Sequence, residues 1–412
     1  MKKDVNTKRA IVIGVGCFLM AAAGFGMVGA KSQYIVAVCA DLGYSTGFMT
    51  TAASLASLAT AVTCLFFSSL QRLFKTMRGI ILTGMIAMSA GYLLPAVLHN
   101  KVGFIIGFAL QGIGLACLGD VPLSTLVNNW FRSKPGTVLG FCFMGSGVGG
   151  MVFNPITGFL IKNLGWKGSY WITAAVTVIL LLPILLFGRD RPADAEMVVA
   201  EKVDERKEEK IGFSKLARLP NFMPFLVVAL LAGCCIPAVN QNASPILDAA
   251  GIDPMTTSFI LSVIYAALSV AKIVMGYCND RFGARVAISI QTASYVIAVI
   301  LLIVMTEVTQ SAAIGFMFAI IFGLSYSWQS LAQPSALRVL FDKAYFSSCL
   351  GITVAVLHFG SAISSAIAGF VKDATGSYTP ILVVYAIAVT LAFAGYQILF
   401  ARRKRMIQQS NV

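Results

Sequence analysis

The stretch 256–285, TTSFILSVIYAALSVAKIVMGYCNDRFGAR, decides the fold class of this chain. Its first 24 residues hold one charged side chain, Lys272, and at about 1.5 Å per residue they can cross a hydrocarbon core of roughly 30 Å as a helix. A lysine in the middle of such a helix costs about 2.5–3.5 kcal/mol on the mildest scale. We therefore expect Lys272 to face protein or a wet cavity, and the charged turn at 276–285 to reach the membrane surface.

The whole chain shares this apolar character. Of its 412 residues, 58% are hydrophobic and 12% are charged, and the mean hydropathy is +0.83. A soluble core does not need so much apolar material, so the composition predicts an all-α membrane protein. Apolar runs predict twelve spans, at residues 10–40, 46–70, 79–98, 102–128, 136–162, 168–188, 221–248, 256–279, 284–305, 310–338, 344–371 and 378–401.

The basic residues behind the net charge of +14 indicate how the chain is oriented in the membrane. When the loops are assigned alternately to two sides, 25 of the 31 Lys and Arg residues lie on the side of both termini. This bias places both termini in the cytoplasm, so we expect a multi-pass protein of the cell membrane. The basic residues form no surface stripe, which argues against nucleic acid as a partner and leaves anionic membrane lipid as a secondary one.

The chain divides into two related halves. A polar stretch separates six spans from six, and it predicts domains at 1–188 and 221–412 with a cytoplasmic linker at 189–220. A shift of 211 positions pairs glycines of the two halves: Gly112 with Gly323, Gly140 with Gly351, Gly149 with Gly360, Gly158 with Gly369, and Gly165 with Gly376. Because each half has an even number of spans, the repeat is parallel. Two parallel six-helix bundles predict a rocking carrier with its site midway between them.

The segment 276–285 resembles the cytoplasmic loop signature of the major facilitator superfamily. The signature consists of glycine, three residues of any type, Asp-Arg, any residue, Gly, any residue and Arg. The resemblance implies that these residues act as a conformational latch. The matching residues are Gly276, Asp280, Arg281, Gly283 and Arg285. The counterpart at 70–75 is degenerate and lacks the acidic residue. An ordinary positive-inside loop is the alternative interpretation.

The stretch 128–166 resembles the branch of that superfamily that contains oxalate–formate antiporters and monocarboxylate carriers. In this branch a cation lies four residues before the glycine, as Lys272 does here before Gly276, and monocarboxylate carriers place a lysine where Lys31 stands. His358 occupies the place of a lysine in oxalate-type members. Leu268 stands where monocarboxylate carriers hold an acidic residue, which argues against proton symport of their kind.

The candidate site residues each have an ordinary structural alternative. Lys272 would anchor a substrate carboxylate, or it would be a structural cation paired with Asp120. Lys31 would contact the substrate or snorkel to the outer surface. His358 would carry a proton or bind an anion, or it would be a neutral core residue. Asp120 is a candidate proton carrier or counter-ion. Aromatic candidates for the substrate site are Tyr265, Tyr34 and Trp328.

No enzymatic or metal-binding motif occurs in the sequence, and we expect no cofactor. The sequence favours a monomeric secondary active transporter of small organic anions, such as lactate, pyruvate, formate or oxalate. It would work by alternating access, as an antiporter or with protons as the coupling ion. The alternatives are proton-coupled efflux of drugs or amphiphiles with Asp120 as the proton site, and a sensor that binds its ligand without moving it.

Overall fold

The computed structural model describes residues 2–74, 76–131, 135–188, 190, 213–341 and 345–410. Within these ranges, eleven helices are long and apolar enough to cross a membrane. The helix at 138–187 has 50 residues and contains Gly165 in a non-helical conformation (φ +70°, ψ +172°). At about 1.5 Å per residue it would measure about 75 Å, more than twice a hydrocarbon core, so it holds two spans. The described residues thus contain twelve spans, and the predicted all-α membrane fold is confirmed.

The chain forms two compact units, residues 1–43 with 52–207 (unit 1) and residues 44–51 with 208–412 (unit 2). Most of the predicted linker, 189–220, lies outside the described residues. The domain boundaries at 188 and 221 therefore stay a prediction.

Unit 1 contains the helices of the first half, apart from the first residues of α3. They are α1 (Lys2–Ala21), a π-helical turn (Ala22–Gly26), α2 (Lys31–Leu42), α3 (Thr46–Leu65), α4 (Phe67–Phe74), α5 (Met77–Leu98), α6 (Lys101–Leu118), α7 (Asp120–Trp130) and α8 (Pro135–Phe187).

Unit 2 contains the helices of the second half. They are α9 (Phe213–Ala217), α10 (Phe222–Gln241), α11 (Ala243–Ala249), α12 (Pro254–Phe282), α13 (Ala284–Val304), a second π-helical turn (Met305–Thr309), α14 (Ala312–Tyr326), α15 (Trp328–Leu340), α16 (Phe346–Thr375) and α17 (Thr379–Ser410).

Local sequence signals fix where several helices begin. The side chain of Thr76 accepts a hydrogen bond from Gly79 N at the start of α5, and Asn100 does the same for Gly103 N at the start of α6. Asp253 accepts from two backbone N–H groups of the first turn of α12, and Pro254 follows it. These side chains satisfy amide groups that have no partner within the helix.

Paired glycines of the two halves make equivalent close contacts inside their own units. A Cβ on Gly112 of α6 would collide with the Ala56 carbonyl oxygen of α3. A Cβ on Gly323 of α14 would lie 2.6 Å from the Ile264 carbonyl oxygen of α12. Small residues allow helices to approach closely in lipid, where packing drives association. The fourth span of each half is therefore held against the second by a glycine.

The fifth span of each half contacts the first in the same way. A Cβ on Gly149 of α8 would lie 2.8 Å from Ala22 Cα, and a Cβ on Gly360 of α16 would collide with Cys234 Sγ of α10. The corresponding positions 165 and 376 are both glycines with positive φ, at +70° and +76°. Three of the five predicted glycine pairs thus have matching structural roles.

Candidate functional site

Lys31 follows an interruption of the first span. The π-helical turn Ala22–Gly26 follows α1, a turn follows at 29–30, and Lys31 is the first residue of α2. Single π-helical turns inside α-helices occur frequently at functional sites. The glycines at 24, 26 and 29 make this segment easy to deform, although the sequence pattern predicted one continuous helix over 10–40.

The Lys31 ammonium lies inside unit 1. The residue is 8% exposed, and Nζ donates a hydrogen bond to the Ala53 carbonyl oxygen at 3.1 Å. It also lies 5.8 Å from the ring centroid of Phe108. Among the described residues, no acidic side chain forms an ion pair with it. One carbonyl and one ring face compensate only part of the cost of burying a charge, so this position favours an anion.

Tyr34 lies one turn after Lys31 and is also buried. Its hydroxyl forms hydrogen bonds with Ser169 Oγ at 2.8 Å and Thr173 Oγ1 at 2.9 Å. Its ring stacks on Tyr170 with the centroids 4.1 Å apart. These contacts fix α2 against the second part of α8, so Tyr34 positions the helix that carries Lys31.

A buried polar bridge joins the first and fifth spans of each unit. In unit 1, Gln33 Nε2 donates to Asn154 Oδ1 at 2.9 Å. In unit 2, Asn242 Nδ2 donates to Ser365 Oγ at 3.0 Å. Asn242 lies where α10 ends and α11 begins, so both bridges adjoin a break in the first span. None of these four residues was predicted from the sequence, although Asn154 and Ser365 are separated by the same 211 positions as the glycine pairs.

Lys272 lies on a polar stripe of α12. Ser262, Tyr265, Ser269, Lys272 and Gly276 are spaced three and four residues apart, which places them on one side of the helix. Tyr265 is buried and the other four are half-buried. A different side of α12 carries strongly exposed residues, namely Val270, Ile273, Val274 and Tyr277. The lysine therefore avoids the apolar exposed side, as its charge requires in lipid.

Tyr265 belongs to a cluster that links three helices of unit 2. Asn240 Nδ2 of α10 donates to the Tyr265 hydroxyl at 3.1 Å and contacts the Tyr326 hydroxyl of α14 at 3.4 Å. The two tyrosine rings meet edge to face, with centroids 6.3 Å apart. Neither Asn240 nor Tyr326 was singled out by the sequence analysis, because isolated polar residues in apolar runs give no periodic signal.

The last two predicted site residues of unit 2, His358 and Trp328, have different surroundings. His358 is half-buried on α16, and within the described part of the chain it makes no hydrogen bond or ion pair. Trp328 is fully buried in the hydrophobic core, with its ring centroid 6.3 Å from that of Tyr396. Trp328 thus packs within unit 2, whereas His358 has part of its surface accessible.

Asp120 lies at a break in the predicted fourth span, 102–128. α6 ends at Leu118, Gly119 has φ −90° and ψ −141°, and Asp120 is the exposed first residue of α7. A carboxylate at a helix N-terminus is stabilised by the helix dipole. The role of Asp120 as a proton carrier or counter-ion stays a prediction.

The signature residues surround the end of α12. Gly283 ends the helix with φ +85°, which favours glycine. Arg281 Nη1 donates to the Tyr277 hydroxyl at 2.7 Å, and Arg285 Nε donates to Gln397 Oε1 of α17. Asp280 is exposed and forms no ion pair with a described residue. Their role as a latch stays a prediction.

The loop of unit 1 that corresponds to the signature is followed by α5, whose start is contacted by an acidic residue from elsewhere in the sequence. The loop 70–75 lacks an acid, but Asp190, just beyond α8, accepts a hydrogen bond at Oδ2 from Met77 N at 2.9 Å. The Asp190 carbonyl oxygen accepts from Asn129 Nδ2 at 3.2 Å, and Arg78 Nε donates to the Gly188 carbonyl oxygen. A residue distant in sequence thus caps the N-terminus of α5.

Comparison with known proteins agrees with this architecture. A sequence model of the Major Facilitator Superfamily matches residues 14–344. The MFS-type transporter YcxA of Bacillus subtilis is 26% identical over 326 residues, which cover 78% of this chain and 77% of that protein. Monocarboxylate transporter 13 of Rattus norvegicus is 24% identical over 315 residues, which cover 74% of this chain and 69% of that protein.

Solved structures share the fold at low identity. The nucleoside transporter NupG has a TM-score of 0.73 at 12% identity, covering 95% of this chain and 98% of that one. The D-xylose-proton symporter has a TM-score of 0.74 at 13% identity, covering 94% and 96%. These similarities show the fold alone.

Proposed function

Because this chain belongs to the Major Facilitator Superfamily, we propose that it is a secondary carrier of small organic anions that works by alternating access. Its family makes it a transporter and not an enzyme. The similarity to monocarboxylate transporters, over about three quarters of the chain, supports small carboxylates as the substrate class.

The buried ammonium of Lys31 is the observation that carries this proposal. It has one carbonyl acceptor and one ring face among the described residues, and it is 8% exposed. Lysine has three N–H donors, so the group retains hydrogen-bonding capacity for an anionic ligand. A carboxylate that reaches Lys31 would form a charge-assisted hydrogen bond and neutralise the buried charge.

Lys272 supplies the corresponding cation in unit 2. It is half-buried on the polar stripe of α12, with Ser269 and Gly276 beside it at helical spacing. A Cβ on Gly276 would meet no atom within 4 Å, so the stripe is not filled by packing at that point. Open space on the same stripe, one turn from Lys272, leaves room for a ligand.

The excess of basic residues on one side of the membrane supports a multi-pass protein of the cell membrane with both termini in the cytoplasm. Fluorescent-protein or alkaline-phosphatase fusions at each terminus test this orientation. Fluorescence at both ends is expected, and phosphatase activity at either end would contradict it.

Uptake by the purified protein in proteoliposomes tests the substrate class. We expect counterflow of lactate, formate or oxalate and none of a lipophilic cation. Lys272→Ala should abolish carboxylate counterflow, because the substrate loses its anchor in unit 2. Lys162→Ala is the matched control, since Lys162 is exposed on α8. Undiminished carboxylate counterflow by Lys272→Ala would remove the anchor role, and uptake of the cation alone would favour drug efflux.

His358 and Asp120 are the candidate groups for proton coupling. Measuring the same uptake with and without a pH gradient distinguishes symport from antiport. If protons are coupled through His358, His358→Gln should retain exchange but lose the response to the gradient. A gradient response that survives in His358→Gln and disappears in Asp120→Asn would assign the proton to Asp120.

A further inference from the structure

The cluster of Asn240, Tyr265 and Tyr326 has an unused hydrogen-bonding group. One end of the Asn240 amide contacts both tyrosine hydroxyls, at 3.1 and 3.4 Å. The other end, Oδ1, is buried and has no hydrogen-bond partner. A buried polar atom without a partner costs about 1–3 kcal/mol, so this arrangement is unfavourable unless something else binds there.

Two side chains of this cluster keep part of their surface accessible although they lie within membrane spans. Asn240 and Tyr326 are half-buried, and they belong to the spans 222–241 and 312–340. Exposure of an amide and a phenol to hydrocarbon is costly. The accessible parts of both side chains should therefore face water or ligand.

The cluster lies close to Lys272 along α12. Tyr265 precedes Lys272 by seven residues, or two turns, which is a rise of about 10.5 Å. Both side chains lean toward the helix N-terminus, so their ends stay about this far apart along the helix. A small hydroxy acid that makes a hydrogen bond of about 2.8 Å at each end spans a gap of this order.

We propose that Asn240, Tyr265 and Tyr326 form a hydroxyl-recognition site, so that the carrier prefers hydroxy acids to the same acids without the hydroxyl. This inference rests on the proposed function, with the carboxylate held by Lys272. A hydroxyl can both donate and accept a hydrogen bond. It therefore matches the unused end of the Asn240 amide whichever way round the amide is oriented.

The ring contacts within the cluster suit this role, because they hold the polar groups in place. The two tyrosines hold the amide plane, and the edge-to-face contact of their rings fixes their hydroxyls. Tyr326 is in turn stacked on Phe322, with centroids 5.7 Å apart. Groups held in this way lose little entropy when the substrate binds.

Counterflow in proteoliposomes with matched acids tests the proposal. Lactate and propionate differ by one hydroxyl, as do glycolate and acetate. One neutral hydrogen bond corresponds to roughly a 3- to 10-fold preference, and we expect the unmodified carrier to favour lactate and glycolate by that factor. Asn240→Leu should reduce both preferences, lactate over propionate and glycolate over acetate, to about one. Asn163→Leu, an exposed asparagine of α8 that bonds the Phe159 carbonyl oxygen, is the matched control.

Tyr326→Phe provides a second test that removes a single oxygen and preserves packing. It should lower the ratio of lactate to propionate exchange toward one. Absence of a preference in the unmodified carrier, or a preference that survives in both variants, overturns the hydroxyl-recognition site while leaving the carboxylate carrier intact. If no carboxylate is exchanged at all, the proposed function fails and this inference fails with it.

Discussion

Each unit places one lysine inside a membrane span, but the two lysines have different surroundings. Lys31 is 8% exposed beside a helix break, with its ammonium held by a backbone carbonyl and a ring face. Lys272 is half-buried within the long helix α12, on a stripe of small and polar residues. Unit 1 therefore holds its cation in a preformed, buried position, whereas the cation of unit 2 lies on a more accessible surface. A carrier needs both properties, because it must recognise its substrate and also release it.

Replacing each lysine with methionine should give the largest effects and should distinguish the two environments by their melting temperatures. Lys31→Met and Lys272→Met should each reduce carboxylate counterflow about 100-fold, the usual cost of removing one partner of a buried charged contact. Only Lys31→Met should also raise the melting temperature in detergent, because it removes a buried charge that has no acidic partner among the described residues.

Lys162→Met serves as the control for both measurements and should change neither. A lower melting temperature for Lys31→Met would mean that the ammonium stabilises unit 1, which contradicts the interpretation of Lys31 as a site awaiting an anion.

The glycine contacts test whether the two units are built alike. Gly112→Ala and Gly323→Ala each force a methyl group against a backbone carbonyl of a neighbouring helix. Overpacking of this kind destabilises by about 1–3 kcal/mol, so both variants should melt at lower temperature by similar amounts. Gly140→Ala is the control, because a Cβ there would meet no atom within 4 Å. A large fall in melting temperature for only one of the two variants would show that the internal repeat does not extend to helix packing.

The fold was predictable because its signals are long and repeated. Twelve apolar runs, the charge bias between loops and the 211-residue spacing of glycines all depend on many residues. The site was less predictable because it depends on single polar side chains. Lys31 and Lys272 stood out as charges in apolar runs, whereas Asn240 and Asn154 have no local pattern that distinguishes them from packing residues.

Breaks in helices were also hard to predict from the sequence. Gly119 and the π-helical turn at Ala22–Gly26 interrupt runs whose hydrophobicity is continuous. Hydrophobicity reports the surroundings of a segment and not the hydrogen bonding of its backbone. The pairing of Asp190 with the start of α5 spans 113 residues of sequence, so no local signal could have shown it.

The two polar bridges should differ in strength. Asn154→Leu removes the Oδ1 acceptor of Gln33 Nε2 and also the bond from Asn154 Nδ2 to the Gly150 carbonyl oxygen, while Gln33 keeps the Asn154 carbonyl oxygen at 3.1 Å. We expect a loss of about 1–2 kcal/mol in the free energy of unfolding. Ser365→Ala removes one hydroxyl, and Asn242 Nδ2 keeps the Ala238 carbonyl oxygen at 2.9 Å, so this variant should cost less. Thermal unfolding in detergent measures both, and equal losses would show that the bond of Asn154 to Gly150 contributes nothing.

The smallest effects on stability concern the signature loop at 276–285 and the start of α5 in unit 1, and they distinguish a helix cap from a conformational latch. Asp190→Ala removes a carboxylate that caps α5, so the free energy of unfolding should fall by about 0.5–1 kcal/mol. Asp280→Ala should leave the melting temperature unchanged, since Asp280 is exposed and has no ion-pair partner among the described residues.

If Asp280 latches one conformation, however, its removal must change the rate of exchange without changing the stability of the fold. Asp280→Ala should then alter maximal counterflow while Asp190→Ala, corrected for folded protein, does not. A variant of Asp280 with unchanged melting and unchanged counterflow would reduce the signature to an ordinary membrane-surface loop. A change in both would make Asp280 a structural residue, because a latch acts on the equilibrium between two folded states and a cap acts on the folded state as a whole.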